Sequence, residues 1–182
     1  MLDPDEARRV LAQADQVWSA DEVAAAVRRL AQEITAALAE ANPLVLSVMG
    51  GAVVFTGQLL PLLDFPLDFD TLYVSRYRGA TRGGSVEWRV APPERTRGRS
   101  VLVLDDILDE GETMAAVRER LLEFGAAAVY VAVLADKDLQ RAKPLTPDFT
   151  GLKVPDRYVF GYGMDVHGAW RNLPAIYALA AE

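Results

Sequence analysis

The chain has 182 residues, 51% of them hydrophobic, a formal net charge of -7 at pH 7, no cysteine and one histidine. That length fits one well-buried core, so a single domain over residues 1–182 is expected. An acidic balance (pI about 4.8) gives no general attraction for nucleic acid or an anionic membrane surface, and the missing cysteines and lone His167 exclude disulfides, thiolate chemistry, Cys-ligated zinc and a multi-histidine metal site.

The chain opens Met1-Leu2-Asp3-Pro4-Asp5-Glu6, acidic where a secretory leader is basic and then apolar. No apolar run approaches the ~18 residues of a membrane span, and a cytoplasmic protein is expected. Asp3 caps a short helix over Pro4–Ala14, with proline at its first position. A second helix runs from Ser19 or Ala20 to about Ala41, with Val23, Val27, Leu30, Ile34 and Leu38 along one face. Asn42-Pro43 ends it. Leu44–Met49 is a buried strand, Gly50-Gly51 breaks it, and Ala52–Leu63 reads as helical. Leu67–Val74 reads as a strand. Ser75–Ser85 is polar, glycine-bearing and without periodicity, so it reads as a long loop of the kind that forms lids. Val86–Val90 returns from it as a strand. Val101–Leu104 is a second buried strand, Met114–Phe124 a helix closed by Gly125, and Ala127–Leu134 a third strand. The tail from Pro144 has no clear helix. Strand, helix and strand repeat with short links, which predicts an α/β fold: a mostly parallel, twisted sheet with helices on both faces.

Residues Val101–Thr113 carry the strongest chemical signal. Four apolar residues lead to Asp105-Asp106, then Asp109, Glu110, Gly111 and Thr113 at a helix start. Ligands of open parallel sheets bind at the C-terminal strand ends. A helix start there suits a phosphate, with Gly111 allowing close approach and the Thr113 hydroxyl adding a hydrogen bond. Ionised aspartates only accept, so the pair suits the vicinal hydroxyls of a ribose, or a magnesium ion bridging to it. The ordinary alternative is a strand end followed by a helix cap at Asp109. It accounts for the cap but not for paired carboxylates after a buried strand. A lysine-bearing Gly-rich phosphate loop and a GxGxxG turn are both missing.

Val-Leu-Val-Leu-Asp-Asp-Ile-Leu-Asp-Glu-Gly-Glu-Thr at 101–113 resembles the phosphoribosyl pyrophosphate signature of type I phosphoribosyltransferases. Three further segments resemble the hypoxanthine-guanine branch. In Val133-Leu134-Ala135-Asp136-Lys137 a strand ends at one of only 3 lysines, against 16 arginines. A lysine only donates, so Lys137 suits a 6-oxo rather than a 6-amino purine; a solvated Asp-Lys-Asp is the ordinary alternative. Val154–Asp165 resembles the base-binding stretch, which implies Tyr158 stacked on the purine, Val159 touching it through the backbone, and Asp165 facing magnesium and pyrophosphate. Core packing is the ordinary role of Tyr158 and Phe160. In Trp170-Arg171-Asn172 the resemblance implies that Arg171 grips pyrophosphate, for which a planar guanidinium is suited. Gly50 and Gly51 fall at the family's pyrophosphate loop. Many members have lysine at the place of Gly50, so here backbone amides are left to do that work. Ser75-Arg76-Tyr77 resembles, more loosely, the family's mobile catalytic loop, whose Ser-Tyr pair is here split by an arginine.

The resemblance covers about Leu44–Asn172. It implies the type I fold, with a core over about 44–140 and a small hood built from the N-terminal segment and about 144–182. It implies purine salvage: transfer of a phosphoribosyl group from phosphoribosyl pyrophosphate to hypoxanthine or guanine, with Mg2+. Asp105, Asp106 and Asp165 would face the metal, and Asp109 would be the general base. Relatives form dimers and tetramers, so a homodimer or homotetramer is expected, with neither nucleic acid nor membrane as partner. The competing readings are a non-catalytic sensor of phosphoribosyl pyrophosphate and a transferase preferring xanthine.

Overall fold

The computed structural model describes residues 2–76, 86–88 and 91–180. Its centre is a five-stranded sheet in the order β3-β2-β6-β7-β8, from Asp68–Leu72, Leu44–Val48, Ser100–Leu108, Ala128–Asp138 and Phe149–Pro155, every neighbouring pair parallel. The long apolar runs follow from this arrangement, since a parallel sheet is covered on both faces. The period of two sorts each strand. Val45, Leu102, Leu104, Ala132 and Leu134 join the core cluster under helices α2 (Ala20–Leu38) and α3 (Val53–Leu59). Leu44, Leu46, Val101, Val103, Val131 and Val133 join the opposite cluster under α4 (Glu112–Glu123).

Helix α1 (Pro4–Gln13) is capped by Asp3, and α2 by Ser19, each in a reciprocal capping box with a glutamate three residues on, Glu6 and Glu22. Asn42, at φ 42, turns the chain after α2. The predicted helix over 52–63 is α-helical only to Leu59; Leu60–Leu62, around Pro61, tightens to a 3-10 turn.

A second sheet lies outside the sequence reading. β1 (Asp15–Trp18) pairs antiparallel with β10 (Ile176–Ala178), which pairs with β9 (Val159–Phe160), so both terminal segments meet in one three-stranded sheet. A short hairpin joins β4 (Val74–Arg76) to β5 (Val86–Trp88). Ser75 and Arg76 therefore belong to a paired strand rather than to the expected loop, because Val74–Arg76 finds antiparallel partners in Val86–Trp88. Tyr77 and the rest of that loop lie outside the described residues. Among the described residues no helix is long and apolar enough to cross a membrane.

Candidate active site

The strand order places β3 and β6 on opposite sides of β2, so the chain switches direction across the sheet between β2 and β6. Crevices at such a switch, at the C-terminal strand ends, are where open α/β sheets bind ligands. Strand β6 outruns its neighbour there. Its last pair with β2 is Ser47–Leu104, whereas pairing with β7 continues to Leu108–Asp136. Asp105 and Asp106 are thus strand residues, past Leu104 where the sequence reading ended the strand, and the edge that β2 leaves open gives their carboxylates a place to face.

A cavity of about 350 Å³ opens at this edge, lined by Asp105, Asp106, Asp109, Glu110, Gly111 and Thr113, with Met49, Gly51 and Arg171 across from them. Gly111, in the left-handed region at φ 84, is the cap of α4 and brings no side-chain acceptor to it, so Asp109 does not cap the helix. A cavity of about 210 Å³ adjoins it and shares Asp106, Ile107 and Asp109; Lys137, Tyr158, Val159, Met164 and Asp165 complete it. Of the predicted residues, Gly50 alone among those described in full lines neither cavity. It follows a cis Met49–Gly50 peptide, and a Cβ placed on it would meet nothing within 4 Å.

The electrostatics separate the carboxylates. Burial, then the neighbouring Asp106 charge, pushes Asp105 well above the usual carboxylate range. Burial also raises Asp106, against the hydrogen bonds from Asp105 and the Ile107 amide and the pull of Arg171. The amides of Asp106 and Ile107 donate to Asp105 Oδ1 (2.9 Å) and Asp106 Oδ1 (2.8 Å). Asp109 is different: its side chain is 55% exposed and 3.1 Å from Lys137 Nζ, which is 12% exposed. Asp165 meets Arg171 at 2.6 Å and accepts from the Gly168 amide at 2.7 Å. Arg171 also donates to the Gly163 carbonyl at 2.6 Å, so it is tied into the site rather than loose on the surface. Glu110 pairs with Arg141 at 2.6 Å, and Glu112 is exposed.

The two aromatics in and just before β9 divide. Phe160 is fully buried in the core, whereas Tyr158 is 48% exposed at the smaller cavity, donates to the Asp165 carbonyl and lies near-parallel to His167, ring centroids 6.2 Å apart. Sequence reasoning missed Ile107 and Met164, apolar linings of that cavity; Ile107 faces both. Its signal was its place between Asp106 and Asp109, but an isoleucine there reads as core.

Residues 13–167 match the family model of the phosphoribosyl transferase domain. The chain belongs to the phosphoribosyltransferase family. It is 36% identical over 173 residues to the hypoxanthine-guanine-xanthine phosphoribosyltransferase of Tritrichomonas foetus, covering 94% of this chain and 91% of that one. It is 33% identical over 165 residues to the hypoxanthine-guanine phosphoribosyltransferase of Streptococcus pneumoniae, covering 90% and 92%. Its fold superposes on the Trypanosoma cruzi hypoxanthine phosphoribosyltransferase with a TM-score of 0.84 at 27% identity, covering 93% and 97%. The family therefore includes this chain in its hypoxanthine-guanine branch, and the five-stranded parallel sheet is that family's fold.

Proposed function

We propose that the chain transfers a phosphoribosyl group from phosphoribosyl pyrophosphate to hypoxanthine or guanine, releasing pyrophosphate, as a cytoplasmic single-domain enzyme that assembles as a homodimer or homotetramer. The observation that carries this is the pair of adjoining cavities with Asp106, Ile107 and Asp109 in common. One has the acidic pair, the glycine-started helix and an arginine, as a phosphorylated sugar requires. The other has a lysine, an exposed tyrosine and apolar walls, as a 6-oxopurine requires. Two reactants held in adjacent cavities meet without a diffusive encounter.

In the reaction the C1′–oxygen bond to pyrophosphate breaks as C1′ bonds to purine N9, and the proton on N7 goes to Asp109. Asp105 and Asp106 hold the ribose hydroxyls. Lys137 donates to the 6-oxo group and Tyr158 stacks on the ring, with Ile107 as the opposite apolar wall. Arg171 receives the departing pyrophosphate, its guanidinium already aimed by the Gly163 carbonyl and Asp165.

The donor set fits magnesium in a limited way. Among the described residues no cluster of three or more metal-binding side chains forms, but Asp105 and Asp106 crowd two carboxylates at a site whose ligand brings phosphate oxygens of its own. Mg2+ commonly binds through one or two carboxylates plus substrate phosphates. Asp105 and Asp106 would hold it, with Asp165 reaching it only on leaving Arg171. When bound, the ion neutralises charge on the pyrophosphate.

The test supplies hypoxanthine, guanine, xanthine and adenine separately with phosphoribosyl pyrophosphate and magnesium, and measures nucleotide. Product from hypoxanthine or guanine and none from adenine is expected. Adenine use, or no product from any base, overturns the reading. Xanthine use would extend the reading in the direction of the Tritrichomonas foetus relative, which is named for all three bases.

A further inference from the structure

All 3 lysines of this arginine-rich chain gather at one end of β7. Lys137 meets Asp109. The other two meet Asp136, one residue earlier, whose side chain is 9% exposed: Lys143 at 2.6 Å and Lys153 at 2.5 Å. Burial alone would lift the Asp136 carboxyl, but the bonds from both lysines outweigh it and hold it below the usual range. The two lysines are not equivalent. Lys153 is 69% exposed. Lys143 is 11% exposed, and its ammonium donates a second bond, 2.7 Å, to the carbonyl of Leu108.

Leu108 and Asp136 are register partners at the last step of the β6–β7 ladder. The next residue along the chain from each is a group that does chemistry in the proposed reaction: Asp109 after Leu108, Lys137 after Asp136. Beyond that step the ladder no longer aligns the two chains. A lysine in the following loop, with a compact ammonium and three donors, spans both strand ends. The same loop packs against the start of α4, since a Cβ added at Gly111 would lie 3.4 Å from Lys143 Cβ and from Pro144 Cδ. Burying an ammonium is costly unless it is fully paired, and here the pairing goes to the backbone that aims the base rather than to a ligand.

We propose that Lys143 is a positioning residue for the transfer: by bonding the Leu108 carbonyl and the Asp136 carboxylate it holds the Asp109 base and the Lys137 purine reader in register. This rests on the roles given to Asp109 and Lys137 above. Lys143 lines neither of the two cavities; it acts through the residue before each group, the Leu108 carbonyl on one side and the Asp136 carboxylate on the other. A displacement of about 1 Å at a reacting group costs on the order of 100-fold, and loss of one of several restraints gives a part of that.

The test compares the full-length protein with Lys143→Met, which keeps the aliphatic stem against Gly111 but removes the ammonium, and with Lys153→Met, which removes the other cation on Asp136. A double variant, Asp136→Leu with Lys143→Met, removes the buried charges together and serves if the single variant does not fold. Nucleotide formation gives kcat and KM for hypoxanthine, and calorimetry gives the affinity for phosphoribosyl pyrophosphate. For folded Lys143→Met or the double variant, kcat about tenfold lower, a raised KM for hypoxanthine and phosphoribosyl pyrophosphate affinity within about threefold are expected; Lys153→Met stays within about twofold throughout. Unchanged kcat overturns the proposal. So does affinity for phosphoribosyl pyrophosphate falling in step with kcat, which marks general damage to the turn, or an equal loss in Lys153→Met, which marks charge balance at Asp136. An inactive wild-type protein refutes the reading of the site itself, and this inference with it.

Discussion

Gly51 is where the site tolerates least. An alanine Cβ there would lie 1.9 Å from Asp106 Oδ2 and 2.5 Å from its Cγ. The carboxylate must retreat by about 1.5 Å, the gap between 1.9 Å and an ordinary 3.4 Å contact. The backbone of Asp106 is held between Asp105 and Ile107, both paired with β7, so the retreat is a side-chain rotation that gives up the bond from the Ile107 amide to Oδ1 and enters the cavity where the ribose would sit. A shift of that size costs about 100-fold or more in kcat/KM for phosphoribosyl pyrophosphate, which is about 2.7 kcal/mol of transition-state binding. Stability should fall by only about 1 kcal/mol, because the carboxylate has an open cavity to enter, and Tm by about 2–4 °C. Two neighbouring glycines bracket the result. At Gly163 the added Cβ meets the Gly51 carbonyl oxygen at 2.0 Å, at φ +103; backbone cannot rotate away, and Gly163→Ala should lose the fold. At Gly50 a Cβ meets nothing within 4 Å, and Gly50→Ala should match wild type in both measurements. Nucleotide formation and thermal melting of the three variants decide the matter. Gly51→Ala within threefold of Gly50→Ala in kcat/KM would refute the steric argument.

Asp105→Asn should abolish turnover yet stabilise the protein. Because the folded-state pKa of Asp105 is raised, the folded chain binds a proton that the unfolded chain has released, so stability is lost as pH rises above the unfolded value of about 3.9; the variant's gain, about 1–2 kcal/mol, should be larger in melts at pH 8 than at pH 4.5, and an equal gain at both would contradict the assignment. Asp109→Asn should lower kcat by about 10²–10⁴-fold with phosphoribosyl pyrophosphate affinity within about threefold, and undiminished turnover retires it as the base. Lys137→Ala should weaken hypoxanthine use, and combined with Asp109→Asn it should be clearly non-additive in kcat/KM, because the two side chains touch. Additive losses would mean that they act independently.

Three of the buried parallel strands were legible because their interior is written locally: Leu44–Val48 is apolar but for Ser47, Val101–Leu104 and Val129–Leu134 are continuous apolar runs, and Asn42-Pro43 and Gly125 punctuate them; Phe149–Pro155, in the tail from Pro144, was not read as a strand. Nor was Asp15–Trp18. Its four residues become a strand only by pairing with Ile176–Ala178, about 160 residues later, and nothing within the segment encodes that partner. The polar groups of the candidate site were legible as a motif, but their partners were not. That Lys137 meets Asp109, that Arg171 meets Asp165 and that Lys143 reaches Leu108 follow from strand register and loop packing, which residue spacing cannot convey. Ile107 was passed over for the opposite reason, since an apolar residue beside a motif looks like core until the open edge of β6 is seen.

Those pairings bear on how the ligand-free site is built. The cations assigned to substrate already have partners, Lys137 with Asp109 and Arg171 with Asp165. On the proposed reading, substrate would not capture solvated cations; it would take over donors that carboxylates have been holding in place. The net electrostatic gain in affinity is smaller than for unpaired cations, but the donors are oriented beforehand, and fixed dipoles need not reorganise as charge moves in the transition state. At the base end the exchange has a second effect. If Lys137 turned to the 6-oxo group of a bound purine, it would leave the Asp109 oxygen that it holds at 3.1 Å, and that oxygen would be open to the proton on N7. Purine binding and release of the Asp109 oxygen would then be one event, so a purine without a 6-oxo acceptor would leave that oxygen occupied by Lys137. Selection against adenine would appear in kcat as well as in KM, which simple loss of a hydrogen bond to the ring would not require.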